Sequence, residues 1–148
     1  MKWIHATHDV ASMIGENLRQ ADRNEVLLSH GVSGEEATFD SYIHSQICQA
    51  IEGDNGLPVG ITGVVDNRIW LLGTEELTAT KSHRWQLSLH GREWVNHCLE
   101  FTGKPIGNHV YSKNRMSIRW LKHLGFTVND PEPFGPWGSP FCEFWREA

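Results

Sequence analysis

The chain has 148 residues, 39% hydrophobic and 21% charged, with 13 Lys+Arg against 18 Asp+Glu and a formal charge of −5. This is the size of one domain, able to bury roughly 68–70% of its unfolded surface without disulfides or a structural metal. The net acidity and the lack of a basic stripe argue against a nucleic-acid partner held through phosphates.

The opening Met-Lys-Trp-Ile-His-Ala-Thr-His-Asp is interrupted by His5, His8 and Asp9, so it does not read as a signal peptide. No stretch approaches the ~20 apolar residues of a membrane span. A soluble, cytoplasmic protein without a membrane partner is expected. Lys2–Ala6 reads as a strand, and Thr7 as the cap of a helix whose apolar residues Val10, Met13, Ile14 and Leu18 share one side. A polar break over Arg19–Glu25 precedes a short Val26–Ser29 segment stopped by Gly31. Ser33 then caps a second helix, with Glu35 and Glu36 matched to its dipole and Phe39, Tyr42, Ile43, Ile47, Ala50 and Ile51 on one face. Gln49–Ile51 is equally readable as the start of a strand.

Leu57–Val65 and Arg68–Leu72 form a predicted hairpin, because Asp66-Asn67 tolerates the positive φ of a two-residue turn. The polar stretch Thr74–Thr80 leads into a long helix over Lys81–Phe101, with Leu87, Gly91, Trp94, Val95 and Cys98 facing inward and Gly103-Lys-Pro105 ending it. A strand over Ile106–Tyr111, a helix over Asn114–Leu124 stopped by Gly125, and strands over Phe126–Val128 and Phe141–Arg146 complete the order. Asn129–Pro140, with four prolines, two glycines, Phe134 and Trp137, reads as a rigid aromatic loop that meets a protein partner or covers the sheet. Hairpin and helical crossovers together imply one α/β domain over residues 1–148 with mixed strand pairing. The first strand–helix junction has no Gly-x-Gly-x-x-Gly, which disfavours a doubly wound dinucleotide fold.

His83, His90 and His97 recur every seven residues, a rise of roughly 10.5 Å against the ~2.1 Å of a zinc ligand, so they read as a solvated stripe and not as ligands of one ion. His5, His8 and Asp9 lack a fourth ligand, and no metal is expected. Cys48, Cys98 and Cys142 are odd in number and form no Cys-x-x-Cys pair, which points to thiols in a reducing compartment. Of the seven tryptophans, Trp70, Trp85, Trp94 and Trp120 fall within core elements.

The element order and the segment Asn114-Arg-Met-Ser-Ile-Arg-Trp-Leu-Lys-His-Leu-Gly-Phe126 resemble the GNAT superfamily of acyl-CoA-dependent N-acyltransferases. Asn114, Ser117, Gly125 and Phe126 occupy the positions of its C-terminal signature. Gln20-Ala-Asp-Arg-Asn-Glu25, Trp70-Leu-Leu-Gly-Thr74 and Ile118-Arg-Trp-Leu-Lys122 are similar to small GNAT-like proteins of tailed bacteriophages. The resemblance implies a mostly antiparallel sheet with a splay between its fourth and fifth strands and helices on both faces. It also implies acetyl-CoA as acyl donor, pairing with the backbone of Ile69, Trp70, Leu71 and Leu72, with its pyrophosphate near Lys81, Ser82 and Arg84 and a contact from Asn114. The acceptor is then an amine of a protein or small molecule. Two departures stand out: Thr74–Arg84 contains no glycine where the family has a Gly-rich phosphate loop, and Leu121 stands where the family has a proton-donating Tyr. His109 and Tyr111, alternate residues of one strand, are the candidate base and acid. The alternative is a catalytically weakened phage protein that binds and modulates a host protein, or a virion component.

Overall fold

In the computed structural model, which describes residues 1–148, a mixed sheet lies between two helical layers. The chain opens with β1 (Lys2–His5), α1 (His8–Glu16), α2 (Gln20–His30) and α3 (Gly34–His44). Next come β2 (Ile47–Glu52), β3 (Pro58–Val65), β4 (Arg68–Gly73), a 3-10 turn over Glu75–Thr78 and α4 (Lys81–Thr102). The chain closes with β5 (Ile106–Tyr111), α5 (Arg115–His123), β6 (Thr127–Val128), β7 (Glu132–Phe134) and β8 (Ser139–Arg146). The strands lie in the order β1-β2-β3-β4-β5-β8-β6, with β7 also paired to β8, and every pairing is antiparallel except β4 with β5. This is the GNAT fold expected from the sequence.

The caps form as read. Thr7 Oγ1 accepts from Val10 N, Ser33 Oγ from Glu36 N and Thr80 Oγ1 from His83 N, and Gly31 and Gly103 close their helices at positive φ. Asp66 and Asn67 turn the β3–β4 hairpin at φ 47° and 67°. On one face of the sheet α1, with Val26 and Tyr42 of the next two helices, covers Ala50, Ile61 and Leu72. On the other, Trp94, Val95, Cys98 and Leu99 of α4 and Leu121 of α5 cover Val64, Ile69, Ile106 and Val110. No helix is long and apolar enough to cross a membrane.

The structure corrects five readings. The polar break at Arg19–Glu25 is the first half of α2, because its charged residues fold inward onto the strands: Asp22 is buried and is held by Arg19 at 2.9 Å. α3 ends at His44, and Ile47, Ala50 and Ile51 belong to β2, where Ala50 and Ile51 are buried on opposite faces of the sheet. The Pro/Gly loop contains β7, which pairs Glu132–Phe134 with Ser139–Phe141. His83 is buried rather than solvated, with Nδ1 at 2.7 Å from the Glu76 carbonyl and Nε2 at 3.4 Å from Asp54. Trp85 is 66% exposed, so it lies outside the core that Trp94 helps to build.

Candidate functional site

β4 and β5 are paired only where Arg68 faces Gly107, and from there they diverge. Glycine is needed at 107: a Cβ there would lie 2.1 Å from the Phe144 carbonyl oxygen, on the strand that β5 pairs with along its other edge. The Asn108 carboxamide stitches the narrow end. Its Nδ2 donates to the Ile69 carbonyl at 3.0 Å, and its Oδ1 accepts from His109 N at 2.9 Å. Across the wide end lies α2, which supplies one carboxylate to each strand: Asp22 Oδ2 accepts from Gly73 N at 2.9 Å, and Glu25 Oε1 from Tyr111 N at 2.7 Å. Since Ile69 and Gly73 turn backbone groups toward the gap, the alternation of an antiparallel ladder turns those of Leu71 the same way. The opening is therefore a V with a free peptide unit on its β4 arm.

A cleft of about 630 Å³ passes through this V. On one face of the sheet it is walled by Glu25, Val26 and His30 of α2, Asp40 of α3, His109 of β5 and Phe134 of β7; on the other by Arg84, Leu87 and Trp94 of α4 and Arg119 and Trp120 of α5. Its two halves differ in charge. On the α2 side Arg19 is occupied by the bidentate bond to Asp22, which leaves Glu25 and Asp40 as carboxylates without an ion-pair partner. On the α4–α5 side the charged side chains are Arg84 and Arg119.

Glu25 is a buried carboxyl inside the cleft. Burial pushes its carboxyl from 4.5 up to about 7, against the opposing pull of the Tyr111 amide; Asp22, one turn earlier, adds to the rise, while Asn114 and Arg19 act the other way. A carboxyl poised there exchanges protons at neutral pH. His109 stacks on Phe134, with ring centroids 4.0 Å apart and planes within 12°, and its Nε2 is 3.9 Å from Glu143. Burial holds its imidazole below the usual 6.5, with Glu143 opposing and Arg68 and His30 contributing, so it is neutral at pH 7. Burial also raises the Cys48 and Cys98 thiols to about 12, which removes them as nucleophiles at neutral pH.

The residues singled out in the sequence are only partly brought together. Ile69, Trp70, Leu71, Leu72, Arg84 and His109 line the one cleft. Tyr111 shares the His109 side of β5, but its ring lies against Phe141 at 5.4 Å and it serves the site through its backbone N–H to Glu25. Asn114 caps α5 through Ser117 N at 3.4 Å, while its Nδ2 is buried without a hydrogen-bond partner. Lys81, Ser82 and Arg84 are exposed in the first turn of α4, where Thr80 takes the N–H groups of His83 and Arg84. Leu121 is buried in α5 and carries no proton.

The sequence pattern does not mark Glu25 as a site residue. Arg19, Asp22, Glu25 and Ser29 are spaced for one side of a helix, a signal that a search for apolar stripes passes over because the inward side is polar.

No family model matches the sequence, and no curated protein resembles it significantly. Solved structures do resemble the fold. A point mutant of spermidine N-acetyltransferase SpeG from Vibrio cholerae superposes with a TM-score of 0.67 at 10% identity, over 98% of this chain and 94% of that one. The apo form of YjaB from Escherichia coli gives 0.59 at 15% identity, over 97% and 94%. A Bacillus subtilis acetyltransferase in complex with CoA gives 0.58 at 11% identity, over 91% and 96%.

Proposed function

We propose that this chain, which has the GNAT fold, transfers an acetyl group from acetyl-CoA to a primary amine, with Glu25 as the proton acceptor. The observation that carries the reading is the Glu25 carboxyl, set across the splay of β4 and β5 and titrating near neutral pH. An amine in water is mostly protonated and not nucleophilic; Glu25, entering its charged form near pH 7, takes that proton as the acceptor enters from the α2 side. One carboxylate oxygen stays on Tyr111 N, which fixes the side chain, and Asn114 lies close enough to the carboxyl to favour its charged form. Neutral His109, beside it on the same wall, is a secondary base and a packing surface held by Phe134.

The α4–α5 half fits the donor. Leu71 offers its N–H and C=O to an extended chain, and Trp120, a lining residue, has a buried Nε1 with no hydrogen-bond partner. Arg84, Lys81 and Ser82 supply charge and open backbone amides at the start of α4 for phosphate. Acetyl-CoA, when bound, supplies the activated thioester. Release of CoA from acetyl-CoA in the presence of an amine, lost in Glu25→Gln, tests the reading.

The β4–α4 connection favours a second reading. Where the family has glycines, this chain has the 3-10 turn Glu75–Thr78, whose Glu75 carboxylate accepts from Gln20 N, and Leu121 replaces the family's acid. A GNAT-shaped protein that binds and modulates another protein, such as a phage product acting on its host, follows if CoA at millimolar concentration does not bind in calorimetry.

A further inference from the structure

We infer that the acceptor is a lysine side chain presented by another protein next to apolar residues, which dock on a surface formed by Leu27, Pro136 and Trp137. The inference rests on the acyl-transfer reading for its chemistry and on an independent surface for its specificity. Trp137 is 64% exposed, the most exposed tryptophan on the α2 side of the sheet, and Leu27 is 48% exposed. Neither is on a floppy tip. Gly135 and Gly138, both at positive φ, close a turn through Gly138 N and the Gly135 carbonyl at 3.2 Å, and this turn is pressed onto the end of α2. A Cβ on Gly135 would lie 2.3 Å from the Leu28 carbonyl oxygen; one on Gly31 would lie 3.4 Å from Pro136 Cγ and 3.8 Å from Trp137 Cη2. Leu27, whose carbonyl accepts from Gly31 N, is one turn back on the same side of α2.

This rigid apolar patch is next in the chain to the α2 wall of the cleft. Val26 and His30 on α2 and Phe134 on β7 line the α2 half, each within three residues of a patch residue. The charge of that half selects the ligand: Glu25 and Asp40 are uncompensated, and Arg19 is already paired. Arg68, the other nearby cation, lies at the narrow end of the V beside His109. A channel that passes Val26 and Phe134 and holds the Glu25 and Asp40 carboxylates suits lysine, whose stem lies on the two apolar side chains while its ammonium meets the carboxylates. A rigid, exposed tryptophan and proline on the rim suit the apolar side chains flanking that lysine, since tryptophan is a favoured anchor at protein interfaces.

The test uses three probes with acetyl-CoA: the blocked pentapeptide Ser-Leu-Lys-Leu-Ser, its counterpart Ser-Ser-Lys-Ser-Ser, and n-butylamine. The expected result is a kcat/KM for the leucine-flanked peptide about tenfold or more above the other two. Trp137→Ala and Leu27→Ser should each remove about tenfold of it, through KM, while turnover of butylamine stays unchanged. Equal kcat/KM for all three probes, or no effect of either substitution, overturns the inference. A parallel calorimetric titration uses the unreactive peptide with Nε-acetyl-lysine in place of lysine. If no amine is turned over yet this peptide binds in a Trp137-dependent way, the docking surface stands and the acyl-transfer reading falls. Absence of both turnover and peptide binding overturns both.

Discussion

Glu25→Gln is expected to leave stability nearly unchanged in acid and to raise it at neutral pH. The folded protein binds the Glu25 proton up to about pH 7, whereas the unfolded chain gives it up near 4.5. Between those values the native state carries more protons than the unfolded state, so stability falls as pH rises across the window. At about 1.36 kcal/mol for each tenfold change in proton affinity, the charged carboxylate costs about 3 kcal/mol, absent below pH 4.5 and fully present above pH 7. Glutamine keeps an oxygen to accept from Tyr111 N and has no charge to desolvate. Urea unfolding of parent and variant at pH 4.5 and pH 8 separates the terms: the variant gains roughly 3 kcal/mol on the parent between the two, or roughly 6–12 °C in melting temperature for a chain of this size. A difference between the two proteins that does not change with pH would refute the burial of this carboxyl.

Asp22→Asn breaks the bidentate bond to Arg19 and strands a guanidinium that is only 13% exposed, so the midpoint of denaturant unfolding falls by the equivalent of roughly 3–5 kcal/mol. Asn108→Ala leaves the Ile69 carbonyl and the His109 amide unpaired at the narrow end of the V; a loss of about 1–3 kcal/mol is expected, with faster hydrogen exchange at His109 N. Arg84→Glu reverses the charge at the start of α4 and weakens CoA binding about tenfold at low salt by calorimetry, with a smaller difference at 1 M salt where charges are screened.

The sequence disclosed the fold through features that are local in the chain. Thr7, Ser33 and Thr80 announce their helices because a cap needs one side chain and one amide three residues on. The Asp66-Asn67 turn announces its hairpin for the same reason. The α3–β2 boundary was ambiguous because β2 is covered on both faces, and a continuously apolar strand cannot be told from a buried helix by periodicity. The α4–α5 half of the cleft was legible through the resemblance of Asn114–Phe126 and the position of β4. The α2 half was not. Its defining carboxylates sit in a segment whose inward side is polar, and what makes Glu25 unusual is burial against β5, where it accepts from Tyr111 N, 86 residues away, an arrangement that no window along the chain contains. His109 was visible as a titratable group on a strand, but its stacking on Phe134 depends on β7, a three-residue strand hidden among prolines.

The most direct test of the central claim is the pH profile of amine-dependent CoA release from acetyl-CoA, measured for the parent chain and for Glu25→Gln with n-butylamine as acceptor. Catalysis by Glu25 predicts that kcat/KM for the parent rises with pH through an apparent pKa near 7, and that the variant is slower by roughly 10²–10⁴-fold and lacks that rise. CoA release that is independent of amine, or a variant with the parent's rate and profile, would contradict it.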